Sequence, residues 1–314
     1  MMESKIKEKA LSLGFSTCGI ASATHLILEQ SIFENIVNQY YNDDMHYLAR
    51  DTDRRFDPKR YFPNCQSVIV CLFHYPVSNS AGDYYKIARY ALLQDYHVFI
   101  KAKLEELADY IRTLSPTSAN KTSVDTAPVT EKNWAVKAGL GTIGKNTLFR
   151  SEQGSFCLIG TVLTTLPLHP DPERKTECGY CDHCVKACPT GALTPYRLDW
   201  RKCLSYLTVS SKGELPDYPD PQPWIYGCDI CQEVCPHNND NSKKKQTLPV
   251  QIPLYPRLKK EEWENLTPEQ FKTCFKGSSI GNRKFEKIAK QVEKSRESLE
   301  GLISKEMNGE QKKE

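Results

Sequence analysis

The sequence has no long hydrophobic run and no strong excess of one charge. No segment approaches the roughly 18 consecutive apolar residues of a membrane helix, so we expect no membrane span. The formal net charge is only +3, too small for bulk charge to indicate a nucleic-acid-binding protein. The N-terminus, Met1 to Glu8, is neither a hydrophobic secretory signal nor a twin-arginine signal. We therefore expect a cytoplasmic protein, in which thiols stay reduced.

Cysteine is abundant by contrast. Eight of the 13 cysteines fall within residues 178–235. The first run, Cys178-Gly-Tyr-Cys181-Asp-His-Cys184-Val-Lys-Ala-Cys188-Pro189, has the C-x₂-C-x₂-C-x₃-C-P spacing of bacterial two-cluster ferredoxins. The second run, Cys228-Asp-Ile-Cys231-Gln-Glu-Val-Cys235-Pro236, lacks one close cysteine, which Cys203 can supply from upstream. Eight thiolates then match two [4Fe–4S] clusters.

The ferredoxin pattern also predicts which cysteines share a cluster, because the fourth cysteine of a run binds the other cluster. We assign to the first cluster Cys178, Cys181, Cys184 and Cys235. We assign to the second cluster Cys188, Cys203, Cys228 and Cys231. The alternatives are zinc, which usually shows two separated C-x₂-C pairs, and disulfides, which need an oxidising compartment. Clusters this close in sequence conduct electrons and leave the substrate chemistry to the rest of the chain.

The hydrophobic pattern predicts an α+β protein. Helical periodicity covers residues 4–14, 26–50, 95–114 and 131–140. Strand patterns cover residues 15–21, 67–73, 121–124 and 155–166. We predict an N-terminal α/β domain over 1–168, a ferredoxin-like domain over 169–242, and a helical basic segment with a disordered tail over 243–314.

Three features outside the cysteine runs could carry chemistry. Gly139-Leu-Gly-Thr-Ile-Gly144 has the spacing of a dinucleotide fingerprint, but a predicted helix precedes it and a strand follows, so we reject that function. Its glycines could admit a bulky ligand or form a simple turn. Asp125 follows a predicted strand, where a carboxyl can donate a proton or serve as a turn or cap residue. His97 is a possible ligand, although a single histidine is more often structural.

Several motifs occur together in a fixed order. They are Arg89-Tyr-Ala, Asp95-Tyr-His97, Val124-Asp-Thr-Ala-Pro128, Ala135 to Asn146, the two cysteine runs, Cys203-Leu-Ser-Tyr-Leu-Thr208 and Tyr226-Gly-Cys-Asp-Ile-Cys231. This combination spans about residues 1–245 and resembles the epoxyqueuosine reductase family. The resemblance implies a cobalamin-dependent iron–sulfur enzyme that reduces the epoxide of epoxyqueuosine at the wobble position of tRNA, the last step of queuosine formation.

The resemblance also implies roles for single residues. The N-terminal domain would hold cobalamin, with the Gly139–Asn146 loop against the corrin, and Asp125 matches the proposed proton donor beside it. Other positions that look like cobalamin contacts are Arg55, Phe149, Ile159, Arg197 and Ser205. Lys212 looks tRNA-facing, and we expect the basic segment 275–284 to contact tRNA phosphates. A low-potential electron donor and a monomeric state complete the expectation.

One departure and three alternatives accompany this interpretation. Ala88 stands where some members carry a cysteine near the corrin, so a thiol has no role at that position. A corrinoid reductive dehalogenase has a similar plan but typically carries a twin-arginine signal. A plain two-cluster electron carrier does not need the N-terminal domain of about 165 residues. A non-catalytic iron–sulfur protein that binds nucleic acid would have no use for cobalamin.

Overall fold

The computed structural model describes residues 1–39, 46–75, 84–174, 177–211, 223–239 and 258–310. The chain divides into two compact units. Unit 1 comprises Met1–Tyr75, Tyr96–Cys181 and Pro236–Val250, and unit 2 comprises Pro76–Asp95, Asp182–Cys235 and Gln251–Glu314. The predicted boundaries at 168 and 242 divide the chain by function rather than by compactness, and they stay a prediction.

Short strands and helices alternate along the described residues. The strands are β1 (Thr17–Ser22), β2 (Ser67–His74), β3 (Lys86–Ile87), β4 (Asn120–Ser123), β5 (Thr142–Ile143), β6 (Phe149–Arg150), β7 (Cys157–Thr164), β8 (Leu193–Thr194), β9 (Arg197–Leu198) and β10 (Trp224–Tyr226). The helices are α1 (Met2–Ser12), α2 (Ile27–Gln39), α3 (Thr52–Phe56), α4 (Pro58–Tyr61), α5 (Tyr96–Leu114), α6 (Glu131–Lys137), α7 (His183–Lys186), α8 (Leu204–Val209), α9 (Ile230–Glu233), α10 (Pro236–Asn239), α11 (Lys260–Glu264), α12 (Pro268–Cys274) and α13 (Phe285–Glu310). Both classes of element occur in one chain, which confirms the predicted mixed α and β fold.

A four-stranded sheet forms the centre of unit 1. Its order is β1-β2-β7-β4, and each neighbouring pair is antiparallel. Strand β2 is buried along its whole length, as its continuous apolar sequence predicts. Alternate β2 side chains therefore serve two layers: Val70 joins a core cluster with Trp134 of α6, while Phe73 packs edge-on against Phe99 of α5. Burying such side chains contributes about 1.5–3 kcal/mol each.

Unit 2 has a small core of its own. Strands β3 and β10 pair in parallel, and β8 and β9 form an antiparallel pair. The C-terminal helices bury Trp263, Phe271 and Phe275, whose rings lie 5.2–5.3 Å apart in successive pairs. These aromatic residues belong to one hydrophobic core cluster of unit 2. Among the described residues, none of the helices combines the length and the hydrophobicity needed to cross a membrane.

The predicted helix over 26–50 is wrong at residues 46–49. Helix α2 ends at Gln39, and His46–Ala49 forms a 3-10 helix instead. Residues 40–45 themselves lie outside the described ranges.

Candidate active site and cluster ligands

Asp125 lies in unit 1, directly after β4, in an unusual backbone conformation. Its φ is +56°, in the left-handed region that costs a non-glycine residue about 1–3 kcal/mol. The Asp125 N–H donates to Oε1 of Glu131 at 2.9 Å, which helps to hold this conformation. The side chain is 62% exposed, so its carboxylate is open to a substrate.

Two aromatic residues at the start of α5 hold the Asp125 carboxylate. Tyr96 Oη donates to Oδ2 at 2.7 Å, and His97 Nε2 lies 3.1 Å from the same oxygen. The Tyr96 and His97 rings stack with their centroids 4.1 Å apart. The N-terminal end of α5 carries partial positive charge, which also favours a carboxylate there. Both contacts fall on Oδ2, and Oδ1 is thereby oriented for a different partner.

Glu131, the first residue of α6, is a site residue that the sequence analysis missed. Its Oε1 accepts from the Asp125 N–H and, at 3.4 Å, from the Ser123 hydroxyl. Burial raises the pKa of Glu131 to about 7, and the nearby Asp125 charge acts in the same direction. The available signal was an acid at the start of a predicted helix, six positions after Asp125, which ordinary helix capping also explains.

Arg55 in α3 lies in the neighbourhood of Asp125. The charges of Arg55 and Asp125 both act on Tyr47, whose pKa is raised mainly by burial. The guanidinium lies over the Phe33 ring at 5.8 Å, and its buried Nε has no hydrogen-bond partner among the described residues. A buried donor without a partner calls for an explanation, and a bound polar ligand would provide one.

Phe149 and Ile159 lie close to one another in the core of unit 1. Phe149 in β6 is only 3% exposed, and the half-buried Ile159 in β7 packs against the same hydrophobic cluster. The neighbouring Arg150 also has a buried Nε that lacks a partner among the described residues. The half-buried Ile159 side chain and the buried guanidinium donors of Arg55 and Arg150 fit a large ligand with an apolar face and peripheral amides, such as a corrinoid.

The remaining predicted contacts lie elsewhere in the chain. Arg197 begins β9 and is exposed, and Ser205 lies half-buried in α8, both within unit 2. Lys212 lies outside the described residues. A role for these residues in binding cobalamin or tRNA stays a prediction.

The Gly139–Asn146 loop packs against other parts of unit 1. A Cβ on Gly141 would lie 2.1 Å from the Arg150 carbonyl oxygen, so only glycine allows this approach of two backbones. Lys145 Nζ donates to the carbonyl oxygens of Gly179 and Cys181 at 2.8 Å each. The loop thus supports the segment that carries the first two cysteines. Its predicted contact with a corrin stays a prediction.

The cysteines assigned to the second cluster all lie in unit 2. Cys203 is the residue before α8, Cys228 precedes α9, and Cys231 lies within α9. Burial raises the pKa of Cys203, and the Cys188 thiol acts on it in the same direction. Burial likewise raises the pKa of Cys228, with contributions from Cys231 and Cys203. Cys203 is thus within electrostatic reach of Cys188 and Cys228, and the assignment of all four cysteines to one cluster stays a prediction.

The cysteines assigned to the first cluster are divided between the units. Cys178 and Cys181 belong to unit 1, and Cys184 and Cys235 belong to unit 2. Within unit 1, the Cys181 N–H donates to the Cys178 carbonyl oxygen at 3.2 Å, which forms the tight turn of the C-x₂-C pair. The assignment of all four to one cluster stays a prediction.

Comparisons with known protein families match two parts of the chain. A model described as epoxyqueuosine reductase QueG matches residues 55–126, which include Arg55 and Asp125. A model described as a 4Fe-4S double cluster binding domain matches residues 177–238, which include all eight clustered cysteines. The second match supports the prediction of two clusters over zinc.

Individual relatives extend the match over most of the chain. An epoxyqueuosine reductase of Cyclobacterium marinum is 39% identical over 297 residues, covering 91% of this chain and 94% of the relative. The structure of an epoxyqueuosine reductase with a tRNA-Tyr epoxyqueuosine-modified stem loop aligns with a TM-score of 0.78 and 26% identity, covering 93% of this chain and 80% of that one.

A third relative is another solved structure. An epoxyqueuosine reductase of Bacillus subtilis, described with its catalytic aspartate loop swung out of the active site, aligns with a TM-score of 0.79 and 25% identity over 93% of this chain and 80% of that one. The curated relative exceeds 30% identity over nearly the whole chain, and the solved structures share its fold. This chain therefore belongs to the epoxyqueuosine reductase family of oxidoreductases.

Proposed function

We propose that this chain reduces the epoxide of epoxyqueuosine at the wobble position of tRNA to the alkene of queuosine, with Asp125 as the proton donor. The observation that carries the proposal is the exposed Asp125 carboxylate, held on one oxygen by Tyr96 and His97. The names of the relatives supply the substrate, and the tRNA stem loop bound to one solved relative supports tRNA as the partner.

The reaction requires two electrons and two protons. The C–O bonds of the epoxide break, a carbon–carbon double bond forms, and the oxygen leaves as water. The [4Fe–4S] clusters can pass electrons one at a time from a low-potential donor. The chemistry that cobalamin would supply, when bound, is the two-electron reduction of an epoxide carbon. The residues that would hold cobalamin in unit 1 are Arg55, Phe149 and Ile159, with Arg197 and Ser205 as further predicted contacts.

Asp125 acts as the general acid in this proposed reaction. Tyr96 and His97 fix Oδ2, so that a proton carried on Oδ1 faces the leaving oxygen. His97 can also return a proton to the carboxylate after each turnover, because its Nε2 lies within hydrogen-bond distance of Asp125. Glu131 keeps the loop in place through the Asp125 N–H.

The substitution Asp125→Asn tests the proton donor. The amide keeps the shape of the side chain but carries no acidic proton, and positioned general acids contribute about 10²–10⁴-fold to rate. We expect the variant to retain iron, cobalamin and tRNA binding while losing turnover by a factor in that range. The measurement is anaerobic reaction of reconstituted protein with epoxyqueuosine tRNA, followed by mass spectrometry of the nucleosides.

The outcomes of this experiment separate the parts of the proposal. Full turnover by Asp125→Asn would reject Asp125 as the donor while leaving the reaction in place. Failure of the unsubstituted protein to remove one oxygen, with both clusters and cobalamin bound, would reject the substrate and favour another corrinoid-dependent reduction. Turnover without cobalamin would reject the cofactor.

A second part of the proposal concerns the basic loop 275–284, which belongs to unit 2. Arg283 and Lys284 have exposed side chains, and the Arg283 Nε donates to Tyr226 Oη at 3.4 Å. We propose that this loop contacts tRNA phosphates. The variant Lys284→Glu is expected to weaken tRNA binding and lower the slope of log K against log salt by about 1. The matched control is Lys5→Glu on α1, and equal slopes in both variants would remove the loop from the tRNA site.

A further inference from the structure

Unit 2 contains a buried ion cluster that the proposed reaction does not use. Arg89, Asp229 and Glu233 form it, and we refer to it as the Arg89 ion cluster. The Arg89 side chain is 8% exposed and that of Asp229 is 2% exposed. Arg89 Nη2 donates to Glu233 Oε1 at 2.8 Å, and its Nη1 lies 3.7 Å from Asp229 Oδ2. The backbone N–H of Arg89 also donates to Asp229 Oδ2, at 2.8 Å.

The Arg89 ion cluster holds the backbone that carries two cysteines. Asp229 lies between Cys228 and α9, the helix that contains Cys231. Its carbonyl oxygen accepts from the N–H groups of Gln232 and Glu233, and its Oδ1 accepts from Gln232 Nε2 at 3.2 Å. One aspartate therefore starts α9 through its carbonyl and joins that helix to the Arg89 segment through its carboxylate.

Ala88 and Gly227 bring the same two segments into direct contact. A Cβ on Gly227 would lie 2.4 Å from the Ala88 Cβ, so the approach requires a glycine opposite this alanine. The Gly227 N–H donates to Thr208 Oγ1 at 2.9 Å, which ties the loop to α8 as well. The loop that begins at Gly227 and carries Cys228 is thus fixed on both sides within unit 2.

The charges of the ion cluster also reach the sulfur ligands. The Asp229 carboxylate is one of the groups that act on the Cys228 thiol. Charges in a buried, low-dielectric environment interact strongly, and net charge around an iron–sulfur cluster is a main determinant of its potential. Arg89 therefore favours the reduced form, and the two carboxylates oppose it.

We propose that the Arg89 ion cluster positions the Cys228–Cys231 loop and sets the reduction potential of the second [4Fe–4S] cluster. Arg89, Asp229 and Glu233 are positioning residues in this role, since they act through the cysteines rather than on the substrate. The inference rests on the proposed assignment of Cys188, Cys203, Cys228 and Cys231 to one cluster, and the experiment below separates the two.

The test is a redox titration of the reconstituted full-length protein, monitored by electron paramagnetic resonance. Arg89→Gln removes the cation, and we expect one of the two cluster potentials to become more negative. Glu233→Gln removes one anion, and we expect the same potential to become less negative. Arg89→Lys keeps the positive charge, and we expect its cluster potential to stay close to that of the unsubstituted protein. The control is Lys260→Gln, which removes the cation of the Lys260–Glu264 pair of α11.

Iron and sulfide content is measured first, because Arg89→Gln leaves Asp229 buried without its cation. Glu233→Gln keeps the Arg89–Asp229 contact. If Arg89→Gln does not assemble its iron–sulfur clusters, the potential measured in Glu233→Gln tests the proposal by itself. Shifts of opposite sign in one potential, with the other unchanged, support the proposal, because a loss of packing alone would not reverse its sign. No shift in Glu233→Gln, or equal shifts of both potentials, overturns it. An unsubstituted protein with only one cluster overturns the cysteine assignment and the inference together.

Discussion

Two aspartates illustrate how differently the two units build a functional site. Asp125 in unit 1 is 62% exposed, and its side-chain and backbone partners, Tyr96, His97 and Glu131, all lie within residues 96–131. Asp229 in unit 2 is 2% exposed and pairs with Arg89, which is 140 positions away in sequence. Burial raises the pKa of Asp229 to about 6 although the neighbouring Arg89 acts in the opposite direction.

The difference follows from the roles proposed for the two groups. A proton donor has to meet its substrate, so the carboxylate of Asp125 needs access, and hydrogen bonds to one of its oxygens are enough to orient it. A residue that supports an electron-transfer cluster must keep its position and its charge through every turnover. Burial fixes the position of Asp229, and the arginine partner favours its charged form. Removing one member of such a buried pair costs about 3–5 kcal/mol. Exposure in unit 1 and burial in unit 2 are thus two solutions to different problems.

The largest effect is expected from removing a ligand in unit 2. Cys203→Ala should eliminate the second cluster, reduce bound iron by about four per chain and abolish epoxide reduction, since an alanine cannot bind iron. Iron and sulfide analysis of anaerobically reconstituted protein measures this loss. The matched control is Cys274→Ala, at a cysteine outside both runs, which should keep all of its iron. An intact complement of iron in Cys203→Ala would show that another residue supplies the missing ligand of the second run.

A smaller effect is expected from loosening the Asp125 loop in unit 1. Glu131→Ala removes the acceptor of the Asp125 N–H, which makes the left-handed conformation at Asp125 harder to hold. A hydrogen bond is worth about 0.5–1.5 kcal/mol, so we expect kcat to fall about tenfold. Steady-state turnover at saturating tRNA measures it.

The variant Glu131→Gln provides the comparison for that substitution. Its amide oxygen can still accept from Asp125, so it should keep most of the activity. Equal losses in Glu131→Ala and Glu131→Gln would indicate that the charge of Glu131 matters and the hydrogen bond does not. The contrast between the Asp125 site, whose partners are close in sequence, and the Arg89 ion cluster, whose members are distant in sequence, would then be weaker. Asp125 would also depend on a buried charge.

Local patterns in the sequence were enough to predict the parts of the fold that depend on neighbouring residues. The apolar run 67–73 became the central strand β2, and the periodic segment 95–114 became α5. The cysteine spacing predicts cluster ligands for the same reason, since Cys178, Cys181 and Cys184 lie within one stretch of seven residues. The role of the glycines in 139–144 is harder to predict from the sequence, because their neighbours, such as the Arg150 carbonyl, come from other segments.

The residues that position Asp125 and the Cys228–Cys231 loop could not be predicted in this way. Glu131 resembles any acid at the start of a helix, and only the fold places it under Asp125. Arg89 and Asp229 were visible in the motifs, but nothing in a single sequence pairs residues so far apart. Ala88 was noted only as a missing thiol, whereas the structure places its Cβ against Gly227 beside the cysteine loop. Long-range contacts of this kind depend on topology, which local periodicity does not specify.

The smallest predicted effect concerns a buried histidine in unit 1. His74 in β2 contacts the hydroxyls of Ser16 at 2.6 Å and Ser151 at 2.7 Å through its two ring nitrogens. Burial lowers the pKa of His74 to about 4 from its ordinary value of 6.5. The unfolded chain therefore binds a proton between pH 6.5 and 4 that the folded chain does not bind. The stability from His74 is complete above pH 6.5 and is lost as the pH falls through this window.

The substitution His74→Gln isolates this contribution. We expect the difference in unfolding free energy between the unsubstituted protein and this variant to shrink by about 1.4 kcal/mol for each pH unit below 6.5. Anaerobic urea unfolding at pH 7.5, 6.5 and 5.5 measures the difference, and contributions from other titrating groups cancel in it. His169→Gln, at an exposed histidine, is the control for the replacement of a histidine by glutamine. A constant difference for His74→Gln would mean that the buried ring keeps its proton, and Ser16 and Ser151 would then act as acceptors for a charged histidine inside unit 1.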